Sequence, residues 1–149
     1  MGAAGFTIAA ATIISNVLSG TTAVTGLTIS PQESPLIPGE LAIGTAHQNT
    51  IVVDNPADAA LTGIFVFNFT VSIQNPAADD IQVWVDLNRD GTIQTEEELT
   101  GTVHGSTIVF KSSSVSIPAG TSTWKIQVKF VDSGLVGTNV SWKAYVEAA

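Results

Sequence analysis

Asp86, Asn88 and Asp90 place three oxygen-bearing side chains at alternate positions, followed by Gly91 and a short run that ends in Glu97. The stretch Asp86-Leu87-Asn88-Arg89-Asp90-Gly91-Thr92-Ile93-Gln94-Thr95-Glu96-Glu97 matches the pattern DxNxDG(x5)E position for position. Oxygens spaced in this way converge on a hard cation. The glycine permits the sharp turn, Thr92 offers its backbone carbonyl, and Glu97 closes the site through both carboxylate oxygens. The expected cofactor is therefore Ca2+. Without an ion, the same residues would make an acidic, solvated turn.

A sensor of the EF-hand kind needs an amphipathic helix on each side of such a loop. Here the entering segment, Ile81-Gln82-Val83-Trp84-Val85, alternates with period two and is rich in β-formers. The loop thus leaves a strand, and the ion is expected to order a loop of a β-domain rather than to open a helix pair.

The rest of the chain fits that setting. Its 149 residues suit one domain, long enough to bury about two thirds of its unfolded surface. Asp and Glu number 13 against 5 Lys and Arg, which disfavours nucleic acid and acidic membrane surfaces as partners. Charged residues make up 12% of the chain, fewer than a solvated monomer usually carries, so much of its exterior is expected to be buried against something. Cysteine is absent, which excludes disulfides and thiolate chemistry. Two NxS/T tripeptides, at Asn68 and Asn139, permit glycosylation of an exported protein.

From Ile51 onward, short alternating runs separated by turn residues predict an all-β, antiparallel sandwich of jelly-roll or immunoglobulin-like form. Phe65, Phe67, Phe69, Val71 and Ile73 share one face of a long strand, and Trp124, Ile126, Val128 and Phe130 one face of another. Val140, Trp142, Ala144 and Val146 repeat the pattern. Shorter strands are expected at residues 42–46, 51–53, 101–104, 107–110 and 115–117, which makes about nine in all. These aromatic stripes read as core, with Trp84 the candidate for an exposed platform.

Residues 1–30 differ in kind. Gly5 to Leu18 carries no charge, Ala23 to Ile29 is a second uncharged run, and Pro31, Pro35 and Pro38 then break the chain. Thr7, Thr12, Ser15, Asn16 and Ser19 interrupt what a membrane span would require, and a signal peptide would need a positive charge, whereas Arg89 is the first Lys or Arg. Phe6, Ile8, Ala10, Thr12 and Ile14 alternate as in a strand, and Phe6, Ala10, Ile13, Ile14 and Val17 also make a helical stripe. The β-branched content favours the strand. The expected organisation is an apolar extension over 1–30, a proline-rich link over 31–40, and a sandwich over 41–149 with the calcium loop at 86–98.

Val83-Trp84-Val85-Asp86-Leu87-Asn88-Arg89-Asp90-Gly91 resembles the strand and calcium loop of GEVED-type β-sandwich modules of secreted and surface proteins. That resemblance implies a closing acid one residue later, at Glu98 instead of Glu97. The whole plan, including the phrase Val115-Ser116-Ile117-Pro118-Ala119-Gly120, is similar to filament subunits of the TasA/camelysin and archaeal bundling-pilin type, and to the calcium-dependent archaeal cannula subunits. What these resemblances imply is an extracellular or cell-surface homopolymer built by donor-strand complementation.

The functional expectation is accordingly a structural subunit of a filament, pilus-like fibre or tube. Residues Phe6 to Leu18 would add a strand to a neighbouring copy, and calcium would stabilise the assembly. Burying Phe6, Ile8 and Ile14 at ~1.5 to 3 kcal/mol each would supply several kcal/mol before ordering costs. The alternative is a calcium-dependent adhesion or carbohydrate-binding sandwich. An enzyme is not expected: HExxH, GxSxG and P-loop motifs are absent, and His47 and His104 stand alone.

Overall fold

Period-two alternation puts every second side chain on one face, and two such faces must close on each other to leave water. In the computed structural model, which describes Ser15 and residues 26–149, they do so as two antiparallel sheets. The described strands are β1 (Thr28–Pro31), β2 (Ala46–Asn55), β3 (Leu61–Thr70), β4 (Ile81–Val85), β5 (Thr100–His104), β6 (Thr107–Lys111), β7 (Val115–Ile117), β8 (Gly120–Phe130) and β9 (Ser141–Ala148). One sheet runs β9-β3-β6-β5, with β7 also on β3, and the other runs β1-β2-β8-β4. The molecule is an all-β sandwich.

Its core is the stripe expected from the sequence. Phe65, Phe67, Phe69, Phe110, Trp124, Ile126 and Val128 are all buried between the sheets. Trp124 packs on Phe65 with ring centroids 5.0 Å apart, and Phe69 meets Phe110 edge-on at 5.8 Å. Trp84 faces outward from β4, half-buried, opposite Gln127.

Polar residues repair the ladder where it breaks. Between β6 and β7, Ser112 donates its N–H to the Phe65 carbonyl and accepts the Phe65 N–H on its hydroxyl, each at 2.9 Å. At the turn after β2, buried Asn55 donates to the carbonyls of Ala59 and Ile117 at 3.1 Å and accepts the Ala57 N–H.

Several boundaries differ from expectation. The strands anticipated at 42–46 and 51–53 are replaced by one, because β8 pairs with β2 along its whole length, from Ala46 opposite Lys129 to Asn55 opposite Gly120. The long strand anticipated to reach Ile73 ends at Thr70, although Val71 remains buried. Thr28–Pro31, its first three residues assigned to the extension and Pro31 to the link, pairs with Ile51–Asp54 as the edge of a sheet.

The proline-rich stretch is packed against the sandwich, with Leu36 and Ile37 buried in the core. Asn49 fastens it by donating its side-chain amide to the carbonyls of Glu33 at 2.7 Å and Leu36 at 3.1 Å. Proline suits such an edge, where no ladder donor is needed. Apart from Ser15, the expected donor segment Phe6 to Leu18 lies outside the described residues. Among the described residues, no helix is long and apolar enough to cross a membrane.

Candidate metal centre

The Asp86 loop is anchored to β8 at its entry and to β4 at its exit. At its entry, the Asp86 N–H donates to the Lys125 carbonyl at 2.9 Å. At its exit, Glu98 bridges to Trp84 and the Leu99 N–H donates to the Val83 carbonyl at 2.8 Å. From Leu99 the chain crosses to β5 in the opposite sheet, and the loop lies beside β8, whose Lys125 and Trp124 it meets.

Within it, the turn has the backbone that the spacing requires. Arg89 has φ 54° and Gly91 φ 85°, and a left-handed conformation is cheap for glycine. Asp86, only 1% exposed, accepts the N–H of Asp90 at 3.3 Å and of Gly91 at 2.7 Å. Asn88 also accepts the Asp90 N–H, at 3.2 Å. Asp90 accepts from Thr92 N–H at 2.9 Å, which is the main cause holding its carboxyl below the usual aspartate value.

Glu97 ends a short 3-10 turn, Thr95–Glu97, and accepts the Gln94 N–H at 2.8 Å. Burial pushes its pKa above the ordinary glutamate value. Asp86 adds to the shift through its charge and through hydrogen-bonding contact with the Glu97 carboxyl, and the charge of Asp90 acts in the same direction. The loop therefore sets the Glu97 carboxyl beside Asp86 and within the field of Asp90.

Glu98 goes elsewhere. Its carboxylate is exposed and takes a 3.3 Å hydrogen bond from the Gln82 side chain on the outer face of the sheet.

Two residues outside the expected ligand set complete the loop. Gln94 donates its side-chain amide to Asp90 at 3.0 Å, and Lys125 donates to the Gly91 carbonyl at 2.8 Å. Gln94 occupies the ninth position of the loop, which often acts through water, so the spacing already marks it. Lys125 lies far off in sequence and carries no such mark. Among the described residues, no three Asp, Glu or His side chains are disposed as metal ligands around one point. The oxygens of Asp86 and Asp90 are turned onto the loop's own N–H groups.

No protein-family model and no curated protein matches the chain. Among solved structures it is similar to one titled "AvmM Catalyzes Macrocyclization in Alchivemycin A Biosynthesis", with a TM-score of 0.53 and 11% identity over 83% of this chain and 89% of that one. The likeness is one of fold.

Proposed function

We propose that this chain is a structural subunit of an extracellular filament, pilus-like fibre or tube, assembled by exchange of its N-terminal strand and stabilised by calcium. The observation that carries the reading is an open seam along one side of the sandwich. Both sheets end there in an edge strand, β1 and β9, and among the described residues neither has a partner on its outer side. Trp142 and Ala144 of β9 face inward, opposite Phe69 and Phe67, yet stay half-buried. Such an edge accepts one more strand through its backbone groups.

The chain carries a segment of suitable chemistry. No charged residue precedes Glu33, and the described sandwich begins at residue 26, next to the seam. In extended form, residues 6–18 span about 40 Å and residues 19–25 provide a tether of about 20 Å.

Calcium fits the loop as a clamp. Asp86, Asn88, Asp90, the Thr92 carbonyl and Glu97 form the ligand set, with Glu97 rather than Glu98 closing it. A cation would offset the repulsion that Asp86 and Asp90 exert on the Glu97 carboxyl. The burial of the aromatic stripe favours a structural subunit over a sugar-binding platform.

Negative-stain microscopy of the purified protein in calcium tests the proposal. Full-length protein is expected to form filaments, and protein lacking residues 2–18 is expected to stay folded and monomeric. Filaments from the shortened protein would overturn it.

A further inference from the structure

We infer that the neighbouring copy's strand runs parallel to β9, with its Phe6 in the cleft at the start of β9 and its Ile8 in the next cleft along. This inference rests on the strand-exchange reading above and adds its site, direction and register. Two clefts open along the seam. The first, of about 700 Å³, is lined by Ile43, Phe130, Leu135, Val136, Val140 and Trp142 among others. Val136 and Ile43 are two of the exposed large apolar side chains, 63% and 37% accessible, so this cleft is rimmed by uncovered hydrocarbon. The second, of about 340 Å³, lies between Ile29 and Pro31 of β1 and Trp142 and Ala144 of β9, with Leu36 and Ile51 behind. Trp142 belongs to both clefts, so they are continuous along the strand. Further along, Val146 is fully buried and the groove closes.

The space beside β9 therefore tapers from Val140 to Val146. A strand laid along it turns alternate side chains inward, about 6.6 Å apart, which is the spacing of Trp142 and Ala144 on β9 itself. Phe6, Ile8 and Ala10 form such a series and decrease in size in the same order, with Phe6 the one aromatic residue before Phe65. Running parallel, they meet the large cleft, the small cleft and the closed end in turn. Running antiparallel, the segment would set Ile14 in the large cleft and the polar Thr12 in the small one, which wastes the volume and places a hydroxyl against Ile29 and Ala144.

Because the chain has no cysteine, engineered pairs test the register cleanly. In the parallel register Thr7 lies beside Lys143, both facing outward, so T7C with K143C should form an intermolecular disulfide. Oxidised filaments of that variant are expected to give a ladder of covalent oligomers, whereas I13C with K143C, the pair that an antiparallel strand would bring together, gives none. A ladder from the second pair overturns the direction. A monomer closed by an internal disulfide overturns exchange between copies. If neither pair cross-links while filaments form and deletion of residues 2–18 abolishes them, the filament reading stands and the cleft assignment falls.

A second measurement uses the sandwich lacking residues 2–18 and a peptide spanning Gly5 to Leu18. Replacing Phe6 of the peptide with Ala should weaken binding by about tenfold or more, and replacing Thr7 should leave it unchanged. Equal losses for the two would overturn the register.

Discussion

The guanidinium of Arg89 lies over the ring of Trp124, 5.0 Å from its centroid. Trp124 is a core residue of β8, 1% exposed, and its indole N–H donates to Ser122 at 2.8 Å. Arg89 sits in the middle of the acidic loop with a left-handed backbone. A cation held over an aromatic face is attracted to it. Loop geometry and the packing of one core ring are thereby linked.

The first prediction follows from that link. Calcium should change the intrinsic fluorescence of the protein through Trp124, and the change should persist when Trp84 and Trp142 are both replaced by Phe. Titration of the W84F/W142F variant with calcium checks it. Asp90→Ala in that background should abolish the response.

Ligand identity gives the second. Calorimetry should find calcium binding on the order of 10⁻⁴ to 10⁻³ M, as for extracellular modules whose loops lack flanking helices. Glu97→Gln should weaken it by tenfold or more, whereas Glu98→Gln should leave it within about twofold. A loss at Glu98 equal to that at Glu97 would show that the loop closes as in the GEVED-type resemblance.

Stability gives the third. At roughly a hundredfold excess over Kd, calcium should stabilise the folded chain by ~2.7 kcal/mol, which raises the melting temperature by several degrees for a domain of this size. In chelator the sign for Glu97 reverses. Its folded pKa is raised above the ordinary value of 4.5, so the folded state holds that proton more tightly, and stability is lost as pH rises from 4.5 through the raised value. Glu97→Gln keeps the Gln94 cap and removes the charge. In chelator at neutral pH it should melt at or above wild type, and with calcium below it. The gap in chelator should close as pH falls below 4.5.

Much of this fold was legible because strand alternation is local. Phe65, Phe67 and Phe69 report one buried face from their spacing alone. The acidic turn from Asp86 to Glu97 was legible for the same reason, since its residues fall within one short stretch. The Leu36-Ile37 contact was not. Three prolines read as a break in the chain, and that stretch is held by Asn49, more than ten residues away, whose hydrogen bonds no local pattern announces. The outward course of Glu98 likewise depends on a distant residue, Gln82 on β4, which donates to its carboxylate.

The fourth prediction concerns packing. A Cβ at Gly101 of β5 would approach Cε2 of the buried Phe110 to 2.7 Å. Gly101→Ala must displace that ring, which meets Phe69 edge-on. Overpacking of this kind costs about 1 to 3 kcal/mol. Thermal melts should show a loss of several degrees.

The last prediction joins the link to assembly through Asn49. Its side-chain amide donates to the Glu33 and Leu36 carbonyls, and its carbonyl oxygen accepts the N–H of Thr50 at 2.7 Å. Pro35 lines both clefts of the seam and Leu36 the smaller one, so these bonds hold a wall of the proposed acceptor groove in place. Asn49→Ala leaves the partly buried Leu36 carbonyl without a donor, at a cost of about 1 to 3 kcal/mol. Asn49→Asp keeps the acceptor for Thr50 but sets a carboxylate against two carbonyls, so it should be no better than Ala. Both variants should melt several degrees below wild type and bind the Gly5 to Leu18 peptide more weakly in the background lacking residues 2–18. Gly101→Ala is the control, because it lowers stability without touching the seam. Peptide affinity that falls equally in all three variants would assign the loss to global destabilisation and detach Asn49 from the groove.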